Sequence, residues 1–75
     1  MKSRKYLNEL QQIDEELVHL YAGGYPEIAI KSTEKTTLDE ILKIKKSINS
    51  DDRVCSKYRS EVLEYCKILI SVINE

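Results

Sequence analysis

Apolar residues recur every three or four positions over the last third of the chain, between Val54 and Ile73. The stripe consists of Cys55, Tyr58, Val62, Tyr65, Leu69 and Val72, broadened by Val54, Cys66 and Ile73. The polar positions between them are Lys57, Ser60, Glu61, Glu64, Lys67 and Ser71. This alternation places the apolar side chains on one side of an α-helix. The pattern predicts an amphipathic final helix over about residues 52–74.

The last turns of that helix, residues 68–73, are apolar on nearly every side. A helix that is apolar all round is normally covered all round. Burying one such side chain is worth about 1.5 to 3 kcal/mol, and two shorter neighbouring helices do not easily surround it. We therefore expect a homodimer. The residues predicted to mediate self-association are Tyr65, Ile68, Leu69, Val72 and Ile73.

A second amphipathic pattern predicts a first helix over residues 4–22. Its apolar stripe is Tyr6, Leu10, Ile13, Leu17 and Leu20, broadened by Leu7, Val18 and Tyr21. Ser3 is a suitable cap for its start. Gly23 and Gly24 end the helix because glycine adopts the left-handed conformation that closes a helix. Pro26 then disfavours helical geometry at Tyr25.

The stretch from residue 24 to residue 36 allows two interpretations. Residues 27–31 form either a short extended segment or a turn of helix begun by Pro26 at its first position. The helical turn is favoured, since a lone strand leaves its backbone groups unpaired. Within this loop we expect Tyr25 to be exposed and Ile28 to fold back as a wall over the final helix.

The next helix is predicted to begin at Leu38, because Thr37 and Glu40 have the spacing of a capping box. It spans residues 38–48. Its predicted buried face is Leu38, Ile41, Leu42, Ile44 and Ile48, and Lys43, Lys45 and Lys46 point mostly outward. Ser50, Asp51 and Asp52 are predicted to cap the final helix. The expected fold is all-α: one domain, residues 1–75, folded as an antiparallel three-helix bundle.

Composition narrows the range of functions. Twelve basic and thirteen acidic residues among 75 nearly cancel, which removes the electrostatic argument for a dedicated nucleic-acid or membrane binder. No secretory signal or membrane span is predicted. Cys55 and Cys66 lie about 16 Å apart along one predicted helix, too far for an intrachain disulfide. We expect buried, reduced thiols and a cytoplasmic location.

Catalytic and cofactor motifs are absent from the sequence, so we predict no enzyme activity, no cofactor and no metal. A metal site can be drawn from His19 with Glu15 and Glu16, but one imidazole and two flexible carboxylates do not close a coordination shell.

The alternative to a protein-binding function is a dimeric DNA-associated regulator of helix-turn-helix type. Arg53, Lys57 and Arg59 follow the predicted turn, but Asp51 and Asp52 oppose phosphate binding there.

All five aromatic residues are tyrosines, which suit the boundary of a core or a protein interface. By elimination, the sequence predicts a small protein-binding regulator of the inhibitor, immunity or chaperone-like adaptor kind. Microbial and phage proteins supply this analogy, which rests on size and shape only. The residues predicted to bind the partner are Tyr25, Ile28, Ile30, Lys43 and Lys46.

Overall fold

Three helices make up the computed structural model, which describes residues 4–74. α1 spans Lys5–Ala22, α2 spans Glu27–Ser50 and α3 spans Ser56–Ile73. The predicted all-α three-helix bundle is confirmed. The predicted cap at Ser3 lies outside the described residues.

α1 and α2 run antiparallel, as two hydrogen bonds between them demonstrate. Near the start of α1, the Tyr6 hydroxyl donates to Asp51, which follows the end of α2. Near the end of α1, the Tyr21 hydroxyl donates to Glu34 in the second turn of α2. Advancing along α1 therefore means moving backwards along α2.

α1 and α3 run parallel. The backbone N–H of Leu7 donates to the Tyr58 hydroxyl at 3.4 Å, and the Tyr65 hydroxyl donates to Asp14 at 2.9 Å. Both pairs are separated by 51 residues along the chain. The two helices therefore lie side by side in one constant register, and α3 is antiparallel to α2.

One core joins all three helices. Its buried apolar residues are Leu10, Ile13, Leu17 and Leu20 of α1, Ile41, Ile44 and Ile48 of α2, and Val62, Cys66 and Leu69 of α3. The predicted stripes of the first and final helices supply most of these positions. Over the residues that the structure describes, none of the helices combines the length and apolar character needed to cross a bilayer.

The predicted break after α1 is confirmed, and each glycine has its own reason. A Cβ on Gly23 would lie 2.7 Å from the Tyr25 ring and 2.8 Å from the carbonyl oxygen of His19. Gly24 has open space around it but a φ of +71°, a conformation that costs other residues roughly 1 to 2 kcal/mol.

The prediction that a helix begins at Leu38 is wrong, because α2 begins eleven residues earlier, directly after Pro26. Thr37 is not a cap: its side chain is only 2% exposed and packs at the core. Thr36 satisfies its hydroxyl within the helix by donating to the Ser32 carbonyl at 3.2 Å. Thr37 thus continues the buried face of α2 at the end of a stretch that was predicted to be a loop.

The predicted capping of α3 is also wrong. Ser50 is the last residue of α2, Asp51 is its C-cap, and Cys55 occupies the N-cap of α3. The Asp51 carboxylate instead accepts the backbone N–H of Arg53 at 3.0 Å, which stabilises the turn between the helices.

Ile28 does not form the expected wall, since 80% of its surface is exposed. The bond between Tyr21 and Glu34 explains this: the end of α1 lies level with the second turn of α2, so the first turn extends past its neighbour. Ile30 instead packs against the core.

Candidate protein-binding surfaces

Asp51 joins the three helices at one end of the bundle. One carboxylate oxygen accepts the Tyr6 hydroxyl at 3.0 Å, and the other accepts the backbone N–H and the Nε of Arg53 at 3.0 and 3.2 Å. Its carbonyl oxygen accepts Nη2 of Arg59 at 2.7 Å. The hydrogen bonds from Arg53, and then that from Tyr6, hold the pKa of the Asp51 carboxyl below its usual value.

Arg59 caps the end of α2 from α3. Its Nε donates to the Ile48 carbonyl at 3.2 Å, and its Nη2 donates to the carbonyls of Asp51 and Val54 at 2.7 and 3.4 Å. The guanidinium thereby contacts the carbonyls at and after the end of α2, where the helix carries partial negative charge. The sequence signal for this contact is a basic residue one turn into the following helix.

Two of the three basic side chains considered for DNA binding, those of Arg53 and Arg59, make contacts of this kind. Arg59 faces inward onto the end of α2, and Arg53 forms an ion pair with Asp51 at 3.2 Å. Lys57 remains exposed in the first turn of α3. Arg59 is therefore engaged within the bundle, whereas the side chain of Arg53 is 91% exposed and, like Lys57, presents its charge to solvent.

Tyrosine hydroxyls link neighbouring helices through carboxylates. Tyr65 donates to Asp14 at 2.9 Å, and Tyr21 donates to Glu34 at 2.6 Å. Burial, followed by the bond to Asp14, raises the pKa of Tyr65 to about 12. Burial and then the Asp51 contact likewise raise the pKa of Tyr6.

A strip of exposed apolar side chains follows the seam between α1 and α3. The hydrogen bond of Asp14 with Tyr65 fixes the register, so Val18 lies one turn beyond it on α1 and Ile68 one turn beyond it on α3. Val18 is 63% exposed, Ile68 51% and Val72 39%. We call the half-buried Tyr65 with Val18, Ile68 and Val72 the α1–α3 patch.

A different surface lies on the seam between α2 and α3. Its apolar floor consists of Leu38, Leu42, Leu63 and Ile70, and its rim of the exposed Lys31, Lys35, Lys45 and Lys67. Leu42 was expected in the core but is 46% exposed, and Leu38 is only half-buried. We call this set the α2–α3 groove.

The third seam, between α1 and α2, is an open furrow. One pocket along it has a volume of about 860 Å³ and is lined by Glu15, Glu16, His19, Tyr25 and small residues of α2. The His19 and Tyr25 rings lie 6.5 Å apart. Among residues 4–74, no group of three histidine, cysteine or acidic side chains is placed to hold a metal ion.

The residues predicted to bind a partner are dispersed. Tyr25 is exposed as expected and lines the α1–α2 furrow. Lys43 lines a second pocket along the same furrow. Ile28 and Lys46 are exposed on α2, whereas Ile30 is at the core edge.

The residues predicted for self-association divide between surface and core. Tyr65, Ile68 and Val72 belong to the α1–α3 patch. Leu69 is buried in the core, and Ile73 packs against it. Val18, which sequence reasoning assigned to the buried stripe of α1, completes the patch.

The two cysteines are free and differ in environment. Cys66 is buried, and burial raises the pKa of its thiol. Cys55 is exposed, which contradicts the expectation that both thiols are buried. The turn after α2 is longer than expected, so Cys55 precedes the helix instead of facing the core.

No protein-family model, curated protein or solved structure matches this chain.

Proposed function

We propose that this protein is a small non-enzymatic protein-binding regulator, of the inhibitor, immunity or chaperone-like adaptor kind, that acts in the cytoplasm as a homodimer. The observation that supports this best is the α1–α3 patch, where the register of Asp14 with Tyr65 and helical spacing place three exposed aliphatic side chains along one seam. Contiguous exposed apolar side chains are typical of contact sites. A second copy of the chain is the occupant that we propose for it.

Self-pairing suits this patch because an apolar surface complements itself about a twofold axis. Burying the remaining exposed half of one aliphatic side chain is worth about 1 kcal/mol. A twofold dimer buries three of them on each copy and so gains about 6 kcal/mol, whereas association costs at least about 4 kcal/mol. The dimer is therefore weak and needs additional contacts from the outer surfaces of α1 and α3.

The alternative of a DNA-associated dimer receives less support. Arg59 is engaged by the end of α2, and Asp51 lies beside the exposed Arg53 as an ion-pair partner that opposes phosphate. Helix-turn-helix proteins use this part of the second helix to enter the major groove.

Sedimentation of paired variants tests the proposal. Ile68→Asp places a charge in the α1–α3 patch, while Leu42→Asp makes the same kind of change at another exposed aliphatic residue. We expect concentration-dependent dimers from the wild-type protein and from Leu42→Asp, and monomers from Ile68→Asp at unchanged helicity. A wild-type protein that stays monomeric at high micromolar concentration, or equal loss of dimer in both variants, would contradict it.

A further inference from the structure

We propose that the α2–α3 groove binds an acidic amphipathic helix of a partner protein. This deepens the proposed function by giving the chemistry of a partner, and it uses a surface other than the α1–α3 patch. The groove combines an apolar floor with a rim of lysines, which is the complement of a helix that has leucine-like residues on one side and carboxylates beside them.

The α2 side of the groove is a continuous helical stripe. Its members, Lys31, Lys35, Leu38, Leu42 and Lys45, follow one another by four, three, four and three positions. On the other side of the core stripe of α2, Thr36 and Glu40 line the furrow towards α1. The stripe therefore borders α3, and the charge of Lys45 is close enough to act on the Cys66 thiol of that helix.

The α3 side is located by contacts at its first turns. Arg59 reaches the end of α2, whereas Tyr65 reaches α1. From Arg59 to Leu63, Lys67 and Ile70, the successive steps are four, four and three positions. These residues therefore lie on the side of α3 that faces α2. Two antiparallel stripes thus border one seam.

Charge is segregated along this seam. The chain contains thirteen acidic residues, yet none belongs to either stripe between residue 31 and residue 45 or between residue 63 and residue 70. Glu34 lies beside the α2 stripe and accepts the Tyr21 hydroxyl at 2.6 Å. Asp39 and Glu64 are exposed one turn from Lys35 and from Lys67. They offset the four rim lysines only in part, so the rim keeps an excess of positive charge in a chain of net charge −1.

The burial of the floor favours a helix over other anionic partners. Leu38, Leu63 and Ile70 are half-buried and Leu42 is 46% exposed, so the floor lies lower than the exposed lysines beside it. A protruding ridge of helix side chains reaches such a floor. A flat lipid surface does not, and a phosphate backbone leaves the apolar floor without a partner.

The experiment uses a synthetic amphipathic peptide with leucines at helical spacing on one side and glutamates on the flanks, titrated into the full chain and followed by fluorescence anisotropy. The comparison peptides are a scrambled sequence and one with lysine in place of glutamate. We expect only the acidic amphipathic peptide to bind. Leu42→Asp and Lys35→Glu should each weaken it at least about tenfold, because they change the floor and the rim separately.

Lys57→Glu is the matched control for charge, since Lys57 is exposed on α3 outside the groove. It should leave binding within about twofold of wild type. Equal binding of the scrambled peptide, equal loss in Lys57→Glu, or no binding at all would overturn the proposal. So would tighter binding of duplex DNA or of anionic phosphatidylserine vesicles with the same sensitivity to Leu42→Asp and Lys35→Glu. Ile68→Asp separates the two proposals: it should abolish dimers and keep peptide binding.

Discussion

At the scale of single residues, polar side chains fix how the helices lie against one another. Among the described residues, no buried side-chain nitrogen or oxygen lacks a hydrogen-bond partner. The chain uses tyrosine and no phenylalanine, which has a structural consequence. A phenol buries its ring at the core edge while its hydroxyl selects one carboxylate on a neighbouring helix, as Tyr65 selects Asp14.

Alkaline pH tests the bond between Tyr65 and Asp14. The folded-state pKa of Tyr65 is raised from 10.0 to about 12, so the folded chain keeps a proton that the unfolded chain releases. The stabilisation is fully present below pH 10 and is lost as the pH rises through about 12. We expect Tyr65→Phe to lower the free energy of unfolding by about 1 kcal/mol at neutral pH.

The Tyr65→Phe variant should also flatten the fall in stability above pH 10, as measured by urea unfolding at a series of pH values. Tyr25→Phe, which changes an exposed phenol, is the control. If both variants kept the wild-type pH profile, burial and the hydrogen bond to Asp14 would not raise the pKa of Tyr65 in solution.

At the scale of elements, α2 decides the shape of the molecule. Its 24 residues span about 36 Å at 1.5 Å per residue, close to the 41 Å longest dimension of the bundle. Between Lys31 and Thr37 four serine and threonine residues are weak helix formers, while the two lysines and Glu34 are good ones. The packing of Ile30 and Thr37 at the core adds to this mixed local preference.

A proline scan distinguishes a continuous α2 from a loop followed by a helix. Lys35→Pro removes an internal backbone hydrogen bond and should cost about 3 kcal/mol or more, whereas a loop would accept it. Glu27→Pro occupies the first helical position, where proline is accepted. Thermal unfolding should show a large loss for Lys35→Pro and a small change for Glu27→Pro and Lys35→Ala. A stable Lys35→Pro protein would mean that the helix starts later.

At the scale of the whole molecule, the two ends of the bundle differ. Hydrogen bonds through Asp51 join all three helices at one end. Most of the exposed large apolar side chains, among them Ile28, Ile68 and Val72, lie towards the other end. One end therefore holds the helices together, and the remaining surface is left for contacts with other molecules.

Acid pH tests the role of Asp51. Its folded-state pKa is lowered from 3.8, so its contribution to stability is present above pH 3.8 and is lost as the pH falls through the lower folded-state value. We expect Asp51→Asn to be less stable than wild type at neutral pH, with the difference shrinking in acid.

Chemical unfolding followed by circular dichroism measures this difference. Asp52→Asn removes the charge of an exposed neighbour and is the control. A constant difference between wild type and Asp51→Asn across the acid range would show that the charge of Asp51 does not stabilise its contacts with Arg53 and Tyr6.

The two proposed surfaces differ in how far sequence alone predicts them. Ile68 and Val72 stand out because the last turns of α3 are apolar on nearly every side. Leu38 and Leu42 were assigned to the core because they extend the apolar face of α2, yet they border the seam with α3. Periodicity measures angles around one helix, and it carries no information about which edge of an apolar stripe a neighbour leaves uncovered.

The sequence by itself determined the helical class, the break at Gly23 and Gly24, and most of the core, because these follow from local backbone freedom and from spacing along one helix. Only the tertiary structure decided that residues 31–37 are helical, that Asp51 and Arg59 connect the helices, and that Ile28 is exposed. Each of these depends on contacts between residues distant in the chain. Their energies appear only when three helices are placed against one another.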